Sequence, residues 1–141
     1  MNTRKVEADF LNGLFSTHSH NYTMTEYDGR VGYCDGHYVA LVYPINAHVK
    51  CDRKFSFECV LDKKERCHGI YTYTITTQFG NLAKYERSDE QGHVYINVKY
   101  TKYFSPRAEY MVAGRKDPVY VYENDDLVGI ICPVNFSEGV K

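Results

Sequence analysis

Residues 33–46, YCDGHYVALVYPIN, have a counterpart near the other end of the chain in residues 122–135, YENDDLVGIICPVN. At a constant offset of 89, Tyr33 aligns with Tyr122, Val39 with Val128, Pro44 with Pro133 and Asn46 with Asn135. Between those identities Leu41 and Val42 meet Ile130 and Ile131, Ile45 meets Val134, and Asp35 meets Asn124 at a polar turn. Both copies spell a strand end, a tight turn, an apolar strand and then a proline, which has no N–H to give to a ladder and stops the strand. The repeat predicts one domain over residues 1–141 with internal pseudo-duplication: a half-unit over about 1–46, a connection and central hairpin over 47–90, and a second half-unit over about 91–136.

Working outward, 141 residues can bury one real core but not two ordinary domains. Aromatics make up 15% of the chain, 14 residues being Tyr and none Trp. Tyrosine favours strands and half-wet surfaces, so the composition points to a β-rich fold with an adhesive exterior. A formal charge of -1 supplies no global attraction to nucleic acid or anionic membrane, so any such binding needs a local patch. No run approaches the ~18 apolar residues of a membrane span, and residues 1–15 lack the apolar centre of a secretory signal. A cytoplasmic protein without membrane contact is expected. The five cysteines are an odd number without a disulfide framework, and Cys59 and Cys132 fall inside apolar strand patterns, which predicts reduced, mostly buried thiols.

Asn2 or Thr3 can cap a short helix whose apolar stripe is Val6, Phe10, Leu11 and Leu14. Asp28-Gly29 and Asp35-Gly36 then predict two connected hairpins, with strands near 19–26, 30–34 and 37–43. In FSFECVL, Phe55, Phe57, Cys59 and Leu61 alternate as in a half-buried strand, expected to hairpin with GIYTYTITT at 69–77. Further strands are expected near 82–87 and 93–100, with a polar turn at 88–92 between them. Ser105-Pro106 reads as an N-cap followed by proline at the first helical position, predicting a second short helix that carries Met111 and Val112 and stops at Gly114. The chain then resumes as VYVYE, a turn at 124–126, and LVGIICPV. The predicted class is α+β, mainly antiparallel β with two short helices on one side.

FSPRAEYMVAG followed by DPVYVYENDDLVGIICPVN resembles the closing segment of a bacterial-type DNA sliding-clamp domain, and VEADFLNGLF with YVALVYPIN is similar to another such unit. The resemblance covers both ends of the chain and implies a fold relationship. Clamp helices that face DNA tend to be basic, and Arg4, Lys5, Lys102 and Arg107 are the cations available here, so the clamp's activity is not carried over. Small, duplicated β-domains of this sort also look like proteins of phages and mobile elements.

Three constellations bear on chemistry. His18 and His20 project from one side of a strand and His37 sits in a turn, which permits but does not specify metal binding. His48, Cys51, Cys67 and His68 form a zinc-compatible donor set whose spacing is looser than that of a structural knuckle. Cys67, flanked by Lys64, Arg66 and His68, could carry a depressed pKa, yet a hairpin tip excludes no water and no nucleophile signature surrounds it. The residues therefore point away from an enzyme, with no cofactor and no metal expected. The most suggestive feature is the basic cluster Lys50, Arg53 and Lys54 with Lys63, Lys64 and Arg66, at opposite ends of the 55–61 strand and ~20 Å apart. With Tyr71 and Tyr73 these residues form the predicted partner-binding surface, suited to a protein or, through the basic hairpin, to nucleic acid.

The expected function is that of a non-enzymatic macromolecule-binding protein: a phage or mobile-element inhibitor acting on host DNA-processing or defence machinery such as a CRISPR nuclease, with a homo-oligomer compatible. The alternatives are a clamp-like DNA-associated protein and a metal-dependent enzyme or small-ligand-sequestering protein.

Overall fold

The computed structural model describes residues 1–6, 8–9, 23–27, 30–34, 38–42 and 61–136. Among them are nine strands: β1 (Thr23–Tyr27), β2 (Arg30–Cys34), β3 (Tyr38–Val42), β4 (Cys67–Thr77), β5 (Gly80–Arg87), β6 (His93–Asn97), β7 (Glu109–Val112), β8 (Val119–Glu123) and β9 (Asp126–Ile131). All neighbouring pairs are antiparallel, in the order β1-β2-β3-β9-β8-β7-β4-β5-β6. Two short helical pieces complete the predicted α+β class. Residues 3–6 and 8–9 are helical, and Asn2 Oδ1 accepts the Lys5 N–H at 3.2 Å as an N-cap does. The second is a 3-10 helix, Val98–Tyr103, capped by Asn97.

Strands β3 and β9, from the two segments of similar sequence, lie side by side. β2 and β8 span 30–34 and 119–123, the same offset of 89 found in the sequence, and Ala40 of β3 pairs directly with Gly129 of β9, again 89 residues on. The expected hairpins form: Tyr27 pairs with Arg30, Cys34 with Val39, and Glu123 with Asp126. At the last of these, Asn124 and Asp125 both adopt positive φ, 51° and 65°, as a two-residue turn matched to strand twist demands.

Strands β4 to β9 curl so that β5 and β6 fold back over one face of β7–β9. Val112, Val119, Val121, Val128 and Ile131 from the central strands meet Ala83, Val94 and Ile96 from the folded arm. Val6 of the N-terminal helix and Tyr100 and Tyr103 of the 3-10 helix close the same core, so both helices pack on one side. Each fully buried Val or Ile contributes roughly 1.5–3 kcal/mol, so this cluster, the larger of two buried clusters among the described residues, is the stronger stabilising one. Past β9 the chain reaches across to the arm, where the Val134 N–H donates to the Tyr95 carbonyl at 2.8 Å and Phe136 meets the Tyr95 ring edge-on at 5.1 Å. Gly69 lies just beyond the two residues of β4 that pair with β7. A Cβ there would lie 2.7 Å from Val112 Cγ2 and 2.8 Å from the Tyr110 carbonyl oxygen, so only glycine permits the approach.

The opposite face of β7–β9 is also covered. Tyr120, Leu127 and Ile130 form a second buried cluster, joined by Leu61, Met111 and Tyr122. Both faces being buried accounts for the uninterrupted apolar runs of β8 and β9.

Several expectations are corrected. Ser105-Pro106 does not start a helix: Ser105 Oγ accepts the Arg107 N–H at 3.0 Å and its carbonyl accepts the Ala108 N–H at 3.0 Å, a turn that leads straight into β7. Met111 and Val112 are consequently strand neighbours on opposite faces, one in each cluster. The strand expected over 93–100 ends at Asn97, where the 3-10 helix takes over. Cys132 is exposed, one residue beyond the last rung of β9. The predicted hairpin of 55–61 with 69–77 falls on residues 55–60, outside the described set; among the described residues β4 hairpins with β5. Phe10, Leu11, Leu14 and Cys59 also lie outside it.

Candidate functional site

Residues 61–66 run along the outer face of β7 and β8, and between them lies an open cleft of about 490 Å³. Its floor is Met111, Tyr120 and Tyr122. Strand alternation puts these there: Val119 and Val121 point to the main core, so Tyr120 and Tyr122 point the other way. Lys63, Lys64, Arg66 and His68 supply the basic rim, and Asp62, Glu109 and Asp125 the acidic one.

Arg66 is the keystone of this wall. Its guanidinium lies 3.6 Å over the Tyr120 ring and forks onto both Asp62 oxygens at 2.6 and 2.9 Å. Nε and Nη2 donate to the Pro118 carbonyl at 3.1 and 3.0 Å, leaving the side chain 6% exposed. The Tyr120 hydroxyl accepts the Asp62 N–H at 2.7 Å, which ties the segment to β8. The Arg66 hydrogen bonds hold the Asp62 carboxyl down at about 2, with the Lys64 N–H assisting. Lys64 pairs with Asp117, which raises the ammonium pKa. Two of the rim's cations are thus neutralised by carboxylates built into the same wall. Lys63 is exposed and has no ion-pair partner among the described residues.

Of the predicted surface, the structure brings Lys63, Lys64 and Arg66 to this cleft. Lys50, Arg53 and Lys54 lie outside the described residues, and Tyr71 and Tyr73 stand farther along β4. Tyr73 is half-buried, its hydroxyl 3.1 Å from that of Tyr95 and its ring beneath Lys84. Tyr71 is exposed and bonds Thr74 Oγ1 at 2.7 Å. Sequence reasoning missed Met111, Tyr120 and Tyr122, although the alternation of VYVYE already sets its two tyrosines on one face.

The metal and thiol candidates separate. Cys67 and His68 are adjacent on β4 and so face opposite sides: the thiol donates to Asp89 at 3.3 Å, while the imidazole lies 3.9 Å from Glu109. His18, His20, His37, His48 and Cys51 lie outside the described residues, and among the described residues no three His, Cys, Asp or Glu converge on a metal position. The Cys67 thiol is pushed up rather than depressed, because it donates to the Asp89 carboxylate and is partly desolvated. Lys64 and Arg66, expected to lower it, are engaged with Asp117 and Asp62; Arg87, at 3.2 Å, is the cation that reaches the sulfur.

No helix among the described residues is long and apolar enough to cross a membrane. No protein-family model matches the chain, and neither curated proteins nor solved structures gave a significant match.

Proposed function

We propose that this chain is a non-enzymatic binding protein whose β-scaffold presents the tyrosine-floored cleft to a protein partner. The observation that carries the reading is the state of the cleft's cations: Arg66 and Lys64 are already matched by Asp62 and Asp117, over a floor of Met111, Tyr120 and Tyr122. A phosphate backbone is held by cations that exchange small counterions for phosphate, and a cation pinned to a built-in carboxylate gains little from that exchange. A protein surface is held by aromatic area with a mixed polar rim, which this cleft supplies. By analogy with small β-domains of phages and mobile elements, the partner class is host DNA-processing or defence machinery such as a CRISPR nuclease, obstructed in the cytoplasm.

The test is co-migration of the purified chain with purified CRISPR effector nucleases and replication proteins, together with their cleavage or synthesis rates. The expected result is a stable complex that slows the partner and is weakened at least roughly tenfold by Met111→Lys or Tyr122→Ala, the variants keeping wild-type circular dichroism. No complex with either class, or a complex indifferent to both substitutions, overturns the reading.

A second reading, a clamp-like DNA-associated protein, draws on the adjacency of the repeated segments about Ala40 and Gly129. It requires retention on DNA that declines steeply with salt, and a chain that ignores DNA at low salt removes it.

A further inference from the structure

We propose that the edge of β4 between Gly69 and Thr77 takes the same edge of a second copy of this chain, antiparallel and about a twofold axis, making one sheet through two molecules. β4 pairs with β5 from Gly69 to Thr77, but β7 reaches only Cys67 and His68 on the other side. Past His68 that side of β4 has no strand partner among the described residues, and an unpaired strand edge is a template for another strand.

Edges are ordinarily blunted by Lys, Pro or an inward charge, and GIYTYTITTQF, residues 69–79, contains none of these. Among the described residues, the large apolar side chains left most exposed are Ile70, Tyr71 and Phe79, at 58%, 54% and 51%, and all three belong to this one hairpin. A bulge at Thr72 bends the edge and leaves residues 73–77 as its straight part.

Charge and symmetry select the occupant. When this strand pairs with itself, cross-strand partners share a face, so Thr meets Thr on the exposed side and Tyr73, Ile75 and Thr77 meet one another on the other. No like charges oppose, because the arm's charged residues Lys84, Glu86 and Arg87 stand one strand further in, on β5. A foreign peptide would find backbone groups but no charge on the edge with which to fix its sequence. Five paired residues per copy, flanked by Ile70, Tyr71 and Phe79, fall short of the roughly 800 Å² per partner of a standard interface, so the dimer is weak and concentration-dependent. The cleft lies on a different part of the sheet, and this pairing does not depend on the function proposed for it.

Sedimentation of the full chain over a wide concentration range tests the proposal. The mass should climb from 16.4 kDa towards twice that value. The double substitution Thr74→Lys with Thr76→Lys, at two exposed side chains, should weaken association at least roughly tenfold with an unchanged melting temperature. The matching Thr74→Glu with Thr76→Glu chain should do the same alone, and the two variants mixed should associate one to one. A wild-type mass fixed at 16.4 kDa, a lysine variant that self-associates like wild type, or a mixture that stays monomeric overturns it.

Discussion

At Gly69 the absence of one methyl group permits the close approach of β4 to β7. Its φ is ordinary, so alanine there is opposed by overlap alone, against Val112 Cγ2 and the Tyr110 carbonyl. Backbone cannot step aside as a flexible side-chain end can, and Gly69→Ala should cost about 1–3 kcal/mol, read as a lower urea midpoint at unchanged slope. A loss under about 0.5 kcal/mol would mean that the corner relaxes freely. Asp62 makes a different single-residue argument, through pH. Its folded pKa of about 2 lies below the ordinary 3.8, so its contribution is whole above pH 3.8 and is lost as pH falls towards 2. Asp62→Asn should therefore be less stable at neutral pH, with a flatter stability curve between pH 4 and 2, and should converge on wild type below that window. The acid slope that remains belongs in part to Asp89, whose carboxyl Arg87 also holds down. Thermal melts of both proteins across that range check the sign.

Among the elements, Asn97 joins two that the sequence leaves separate. Its Oδ1 accepts the Lys99 N–H at 3.0 Å and starts the 3-10 helix, while its Nδ2 donates to the Phe79 carbonyl at 3.1 Å and holds the β4–β5 turn, where Gly80 takes φ 99°. Asn97→Ala should cost about 1–2 kcal/mol, and Asn97→Asp should recover the cap but not the turn. Equal losses in the two variants by chemical denaturation would contradict that division. Local pattern predicted much of the rest. β2, β3, β8 and β9 were legible because turn chemistry and apolar runs agree there, twice, at one spacing. The stretch after Ser105 was not, because Ser-Pro is as good a turn as a helix start, and what decides between them is pairing with β8, which sets Glu109, Tyr110 and Met111 against Tyr122, Val121 and Tyr120. The cleft was half legible for the same reason. Lys63, Lys64 and Arg66 announce themselves in the chain, but that Asp62, Asp117 and Tyr120 would engage two of them is a tertiary fact, and it turns a basic patch into a nearly neutral wall.

For the molecule as a whole, β7–β9 form a middle layer, with the folded arm and both helices on one side and residues 61–66 on the other. The arm is held over the core by side-chain burial along its length, and the Val134 N–H to Tyr95 carbonyl bond and the Phe136 ring against Tyr95 join the curl at its open end. If that seam closes the curl, loosening it should free β6 before it disturbs the middle layer. Phe136 is half-buried, so Phe136→Ala should lower global stability by only about 1–2 kcal/mol. Its larger effect should be local: faster amide exchange at Val134 and in β6, with the amides of β8, buried between two covered faces, still exchanging only through global unfolding. Hydrogen exchange resolved by strand separates the outcomes. Acceleration confined to β6 and the segment after β9 assigns the seam its role, whereas an equal rise in β8 would mean that the arm and the middle layer unfold as one unit and the curl needs no closure.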